Sequence, residues 1–356
     1  HCWVVFGEED PGDAKEVRYG VRDEASKLNV NTATVDQLLL IPGMTQEIAE
    51  AIVDWRDTDE EPQANGAESD YYNALEPGYT AKNGPFESLE ELLRVRGIDE
   101  SILYGEDRNR NGALDPCEDD GDRSYPPDDA DGTLNRGLAD YLTVYSMDMN
   151  WTKDGRARLL VTNAQPQAIR DRLEKNGLST AMGGTILQFL TLRRQPLQSA
   201  AELLQIPTMD EASFAICADE LTSREDPQLP GKININTAAK VVLQGLPGLT
   251  ADDVSAIMAR RADAAESLES PAWLLRVLER QKVGQIFELI TTRSYQFTVH
   301  AAVALDDRPE MIRRIEAVVD RSYAPMRVLW RRDLTFLGFP IAGERSQNNA
   351  TGVQVP

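Results

Sequence analysis

Histidine is scarce in this chain of 356 residues: there are two, His1 at the terminus and His300 inside an apolar, strand-like run. Cys2, Cys117 and Cys217 are isolated from one another and from any histidine pair, so zinc spacing is missing. Three cysteines allow at most one intramolecular disulfide, and the sequence leaves open whether Cys117 pairs with Cys217. No phosphate loop, dinucleotide fingerprint or Gly-x-Ser-x-Gly elbow occurs. A calcium-dependent hydrolase would need a nucleophile and base that the chain does not offer, and the sequence reads as a binding or structural protein, not an enzyme. Long apolar runs are missing as well, so no segment can cross a membrane as a helix of about 18 residues. A net charge of -22 repels phosphate backbones and argues against nonspecific nucleic-acid binding. The opening His1-Cys2-Trp3-Val4-Val5-Phe6 is strand-like, without initiator methionine or signal peptide, so an upstream segment is expected.

What the chain has is carboxylate. Asp107-Arg108-Asn109-Arg110-Asn111-Gly112-Ala113-Leu114-Asp115-Pro116-Cys117-Glu118 has the spacing of a twelve-residue calcium loop. Asp107, Asn109, Asn111, Asp115 and Glu118 supply side-chain oxygens at positions one, three, five, nine and twelve. Ala113 supplies its carbonyl at position seven, and Gly112 allows the sharp turn at position six. An all-oxygen set suits Ca2+ and fits zinc or copper poorly. The loop lies in an acidic stretch, residues 99–131, where twelve carboxylates face Arg108, Arg110 and Arg123. Self-repulsion would keep such a segment disordered, and a bound cation would order it. A second run, Asp128-Asp129-Ala130-Asp131-Gly132-Thr133-Leu134-Asn135, lacks both closing ligands and reads as a poorer metal loop or a solvated turn. Asp54, Asp57, Asp59 and Glu68 form a further cluster, with Asp54 and Asp57 on one helix face. It could hold a second cation or fix its turn by capping and salt bridges. Trp55, between them, is expected in the core.

The chain repeats itself. Lys27-Leu28-Asn29-Val30-Asn31-Thr32-Ala33 recurs as Lys232-Ile233-Asn234-Ile235-Asn236-Thr237-Ala238. Each copy precedes a helical stretch, a Pro-Gly turn (Pro42-Gly43, Pro247-Gly248) and a threonine, Thr45 or Thr250, placed to cap a helix over 46–56 or 251–261. A later element, residues 86–93, 197–204 and 268–275, shows serine opening a short helix in three places. A degraded copy is therefore expected over 158–221. Strands are expected near the ends, over 3–8, 16–21, 295–305, 311–320 and 327–336, with turns at 10–13, 306–309 and 322–325. Joined in one antiparallel sheet, they leave the helical body as a long insertion.

The fold class is thus α+β. Its divisions are a discontinuous β domain (1–26 with 293–340), helical units at 27–98, 137–230 and 231–292, an acidic calcium-loop insert at 99–136, and a disordered tail at 341–356. Pro-Gly between short helices also belongs to DNA-binding helix-hairpin-helix turns, which leaves a DNA-uptake type of protein as the alternative. Against it, neither turn is followed by a lysine or arginine or closes on the usual second glycine.

The series Asp23-Glu24-Ala25-Ser26-Lys27-Leu28-Asn29-Val30-Asn31-Thr32-Ala33, Ile52-Val53-Asp54-Trp55-Arg56-Asp57-Thr58-Asp59 and Gly66-Ala67-Glu68 resembles the minor pseudopilin K family of type II secretion systems. So do Tyr71-Tyr72, Pro77-Gly78-Tyr79, Lys82-Asn83-Gly84-Pro85, Ser88-Leu89-Glu90-Glu91-Leu92 and the box at 233–238. The resemblance implies a pilin-like antiparallel sheet interrupted by an all-α domain of helix-hairpin-helix (SAM-like) units. It implies a non-enzymatic place at the pseudopilus tip, beside other minor pseudopilins and exported cargo, with calcium in the helical domain. A periplasmic protein, anchored in the inner membrane by a hydrophobic N-terminal helix outside this sequence, is expected on the same ground.

Overall fold

A computed structural model describes residues 2–5, 20–123, 128–193, 195–263, 268–304 and 311–338. Strands β1 (Cys2–Val5) and β2 (Arg22–Asp23) lead into the first of three repeats. It runs β3 (Leu28–Asn29), α1 (Val35–Leu38), α2 (Gln46–Arg56), α3 (Ser69–Asn73), a 3-10 turn at Leu89–Arg94, α4 (Glu100–Tyr104) and β4 (Leu142–Thr143). After β5 (Met147–Met149), the second repeat is β6 (Leu159–Leu160), α5 (Pro166–Lys175), α6 (Thr180–Leu192), a 3-10 turn at Ala200–Gln205, α7 (Glu211–Glu220) and β7 (Leu221–Thr222). Then β8 (Gln228–Pro230) precedes the third: β9 (Ile233–Asn234), α8 (Lys240–Gln244), α9 (Ala251–Arg261), a 3-10 turn at Pro271–Arg276, α10 (Arg280–Ile286) and β10 (Ile290–Thr291). The chain ends in β11 (Gln296–Ala304), β12 (Ile312–Asp320) and β13 (Arg327–Asp333).

In every repeat the opening and closing strands pair in parallel, β3 with β4, β6 with β7 and β9 with β10. The Asn-x-Asn box explains the opening turn. The side chains of Asn29 and Asn234 accept the N–H of Asn31 and Asn236 at 2.9 Å. The second asparagine then reaches across the repeat, donating to the carbonyl of Phe86 (3.0 Å) or Leu268 (2.8 Å). Thr45 and Thr250 accept the Ile48 and Asp253 N–H groups and so cap α2 and α9. Gly43 and Gly248, in the Pro-Gly turns, take φ of +79° and +77°, where a Cβ would be strained. Ser199 and Ser270 cap their 3-10 turns, whereas Ser88 makes no capping bond. There the Glu91 carboxylate accepts the Glu87 N–H instead. These segments, expected as short helices, are 3-10 turns.

The acidic stretch lies inside the first repeat. Because Leu142–Thr143 closes against Leu28–Asn29, the unit read from the sequence as 27–98 continues past the insert to Thr143. The chain forms two compact units, His1–Val144 with Tyr295–Pro356, and Tyr145–Ser294. The first joins the first repeat to the sheet, and the second holds the other two repeats.

The sheet is antiparallel, ordered β1-β11-β12-β13, with β2 also on β11, so strands from both chain ends meet as expected. Of the expected strand at 16–21, residues 16–19 lie outside the described residues, and pairing begins at Arg22. The expected turns at 10–13 and 306–309 and the tail at 341–356 also lie outside them. Along β11 and β12, Thr298, His300 and Ala302 oppose Val318, Glu316 and Arg314, which places these side chains on one face. The other face carries Phe297, Val299 and Ala301 opposite Val319, Ala317 and Ile315, all half-buried. The inward face is polar because it meets the first repeat. The hydroxyls of Thr143 and Thr298 both donate to the buried Glu24 carboxylate. His300 and Arg332 bind Glu316 at 2.8 and 2.5 Å, and Arg332 also donates to Glu90. Thus His300 is a sheet residue in an ion-pair network. Among the described residues, no helix is long and apolar enough to cross a membrane.

Candidate metal centres

Helix α2 puts Asp54 in its last turn and Asp57 at its C-cap, three residues apart and on one face. The chain returns at Glu68, the residue before α3. One carboxylate oxygen from each of Asp54, Asp57 and Glu68 lies within 4.8 Å of the others. Among the described residues this is the one trio of acidic, histidine or cysteine side chains that comes so close. Asp54 is fully buried and accepts the Gln63 N–H at 3.1 Å. Glu68 is 3% exposed, and both of its carboxylate oxygens are buried without a hydrogen-bond partner. Burial pushes its carboxyl up to about 7, with Asp54 and Asp57 adding repulsion. Burial also raises Asp54 and Asp57. Three converging carboxylates, one of them unsatisfied, are a costly arrangement that a hard divalent cation would relieve.

The local fold protects the cluster. A Cβ on Gly66 would lie 1.8 Å from an Asp54 carboxylate oxygen, so any side chain here would displace that carboxylate. Trp55 is 2% exposed, edge-on to Tyr72 at 5.1 Å, and donates to Glu91 at 3.0 Å, which makes it core. Asp59 stays outside the trio. Its carboxylate accepts the Glu61 N–H and its own N–H donates to Asp57, as a turn residue does.

The loop at Asp107 is the second candidate centre. Asp107, Asn111, Ala113 and Glu118 are buried. Asp107 accepts the N–H groups of Asn111 and Gly112, both at 2.9 Å, so positions one, five and six curl around one carboxylate. Glu118 accepts the Asp115 N–H at 3.0 Å and closes the ring from position twelve. The side-chain amides of Asn109 and Asn111 donate to Asp115 at 2.5 and 3.1 Å. The Asn109 side-chain oxygen is buried without a partner. Gly112 has φ +70° at the sharp turn. Burial pushes Glu118 up to about 7, reinforced by Asp107 and Asp115, and burial also raises Asp107. The six residues picked out by spacing therefore share one loop, although Asp107, Asp115 and Glu118 are more widely spaced than the trio.

Arg314 on β12 is 1% exposed and donates to the carbonyls of Asn109 (2.5 Å) and Arg110 (2.6 Å). Arg136 donates to the Gly112 carbonyl at 3.0 Å. These clamps tie the loop to the sheet, and spacing within the loop gives no sign of them. Their signal is a polar parity in β12, where Arg314, Glu316 and Asp320 share a face. The run at 128–135 does something else. Asp128 accepts the N–H groups of Asp120, Gly121 and Ala130, and Asp131 accepts that of Thr133. Cys117 is exposed in the insert and Cys217 buried in α7, and they are not joined in a disulfide.

Residues 18–104, the span that carries Asp54, Asp57 and Glu68, match the family model described as type II secretion system (T2SS), protein K. Over this span the chain is similar to the protein K family. It is 42% identical over 124 residues to type II secretion system protein K of Pectobacterium carotovorum subsp. carotovorum, covering 29% of this chain and 38% of that protein. It is 34% identical over 71 residues to the Klebsiella pneumoniae protein K, covering 20% and 22%. A segment of 89 residues is 32% identical to endonuclease/exonuclease/phosphatase family domain-containing protein 1 of Xenopus laevis, covering 25% of this chain and 12% of that one. The matches thus span about 12–38% of these relatives' own length. Among solved structures, the GspK-GspI-GspJ complex of the enterotoxigenic Escherichia coli type 2 secretion system aligns at 15% identity and TM-score 0.42, covering 88% of this chain and 78% of that one.

For the alternative DNA reading, three cations of the first and third repeats are turned away from a basic patch. Lys232 is buried, and Arg261 donates to the carbonyls of Ala238 and Ile235, as Arg56 does to those of Ala33 and Val30.

Proposed function

We propose that this protein is a member of the protein K family and a non-enzymatic tip subunit of a type II secretion pseudopilus, stabilised by calcium and assembling with other minor pseudopilins. The observation that carries the reading is the buried, unpartnered Glu68 carboxylate beside Asp54 and Asp57, inside the span that matches the family. In this account Ca2+ is held by Asp54, Asp57 and Glu68 at one centre. At the other it is held by Asp107, Asn109, Asn111, Asp115 and Glu118 with the Ala113 carbonyl. The ion supplies the positive charge that lets these carboxylates ionise together while buried. It needs about six to eight oxygens, a number that carboxylates and carbonyls together can reach.

The sheet β1-β11-β12-β13 is the pilin-like part, and the three repeats are helix-hairpin-helix units inserted into it. The half-buried apolar face at Phe297, Val299, Ala301, Ile315, Ala317 and Val319 suits packing by a hydrophobic filament helix. A body of three repeats is too bulky for a filament shaft and suits its end, in the periplasm, where exported cargo passes. The test is co-purification with the other minor pseudopilins, in calcium and in chelator. A complex that forms in calcium and weakens in chelator supports the proposal. Failure to assemble in calcium removes the tip assignment, and assembly indifferent to chelator removes the role of the ion.

A further inference from the structure

The three repeats place a basic residue just before the opening strand: Lys27, Arg158 and Lys232. In the first two, this cation is anchored on a backbone carbonyl of the segment entering the closing strand. Lys27 donates to Ala139 at 3.0 Å, and Arg158 donates to Asp219 at 3.1 Å. Lys232 breaks the pattern. It is 9% exposed and has no hydrogen-bond partner among the described residues. The two carboxylates that could take it are engaged elsewhere. Glu288 accepts the hydroxyls of Ser199 (2.5 Å) and Ser223 (2.9 Å), and Asp148 accepts the Thr291 hydroxyl (3.0 Å) and the Met149 N–H (2.8 Å).

Lys232 lines a cleft of about 520 Å3 within the unit Tyr145–Ser294. That volume lies in the range of small-ligand sites, roughly 300–1,000 Å3. Trp273, Phe287, Ile290, Leu229 and Ala272 give the cleft an apolar wall. Three of its other cations are engaged: Arg276 binds Glu211 at 2.6 Å, Arg293 binds Asp219 at 2.5 Å, and Arg158 holds the Asp219 carbonyl; Lys153 is exposed at the rim. Seven acidic side chains line it against five basic ones, a field that repels a dianion such as phosphate. One buried ammonium without a hydrogen-bond partner, beside an apolar wall, fits one negative charge on an apolar body. Burial lowers the Lys232 pKa, and the nearby Glu288 and Asp148 carboxylates offset only part of that cost.

We propose that this cleft binds an apolar monocarboxylate, with its carboxylate on Lys232 and its hydrocarbon part against the Trp273–Phe287 wall. Such a group is carried by the C-terminus of a peptide or by a small free acid. The test titrates the full, calcium-loaded chain by calorimetry with N-acetyl-alanyl-leucine, with the same peptide ending in an amide, and with hexanoate. The free-acid peptide is expected to bind saturably and the amide at least about tenfold more weakly, as loss of a charge-assisted hydrogen bond requires. Lys232→Met should weaken the acid by about tenfold or more. Ala215→Phe, which fills the cleft from α7 and leaves the lysine in place, should also abolish binding. Hexanoate binding as well as the peptide identifies a free acid as sufficient, and a preference for the peptide identifies a chain terminus. Equal binding of acid and amide, binding unchanged by either substitution, or no binding by any probe would overturn the proposal.

Discussion

Replacing Glu68 by glutamine should have opposite effects on the metal-free and the calcium-bound protein. In the unfolded chain the Glu68 carboxyl ionises near its ordinary value of 4.5, whereas in the folded chain it holds its proton up to about 7. Between these values the unfolded state binds fewer protons, so stability falls as pH rises through the window. By about pH 7.5 the accumulated loss is on the order of 3 kcal/mol. Glu118, also pushed up to about 7, adds a parallel fall that remains in the variant. In chelator, then, Glu68→Gln should be about 3 kcal/mol more stable than the parent at about pH 7.5, nearly equal to it at about pH 4, and less steep between. With calcium the order reverses. The parent gains about 2.7 kcal/mol when the free ion is a hundredfold above Kd, and the variant loses that gain at this centre. Urea unfolding at several pH values, with calcium or chelator, reads all four corners. A variant less stable than the parent in chelator at about pH 7.5 would refute the electrostatic reasoning, and one that keeps the full calcium gain would refute the ligand assignment.

Further predictions concern the loop and its supports. Asp107→Ala and Glu118→Gln should each lower calcium affinity and speed proteolysis between residues 99 and 131; calorimetry and limited digestion check this, and a variant that binds like the parent would contradict the assignment. Arg314→Met should cost about 2–4 kcal/mol, since it removes two hydrogen bonds from a buried cation to the Asn109 and Arg110 carbonyls. It should also weaken calcium at the loop more than at the Glu68 trio, which separates a clamp from a general packing residue. Gly66→Ala should destabilise the first unit by about 1–3 kcal/mol, because the new methyl collides with the Asp54 carboxylate. A melting temperature equal to the parent's would show that the close approach is not required.

The repeat was legible because its turns are made by particular side chains. The Asn-x-Asn boxes, capping threonines and Pro-Gly turns each have one geometric job, and they recur at matching positions. The long strands β11, β12 and β13 were legible through their runs of Val, Ile and Trp. The two-residue strands were not, because a pair such as Leu142–Thr143 is too short to carry a period. The first repeat's true end was therefore hidden behind the acidic insert. At the candidate metal centres, loop spacing drew attention to Asp107–Glu118, since all its candidate ligands lie in one stretch. The tighter trio is assembled by a chain reversal between Asp57 and Glu68, and only the fold shows that Asp59 drops out of it. Arg314 was out of reach for the same reason: it arrives from a strand some two hundred residues further along the chain. The engagement of Asp128 with backbone N–H groups likewise depends on how the insert curls.

The central claim, that calcium is structural here, is tested most directly by calorimetric titration of the chelator-stripped protein with Ca2+, using Mg2+ as the control and following each form by thermal melting. The account predicts saturable calcium binding with proton release near neutral pH, a raised melting temperature, and little response to magnesium. Absence of saturable binding, or binding that leaves the melting temperature unchanged, would contradict it.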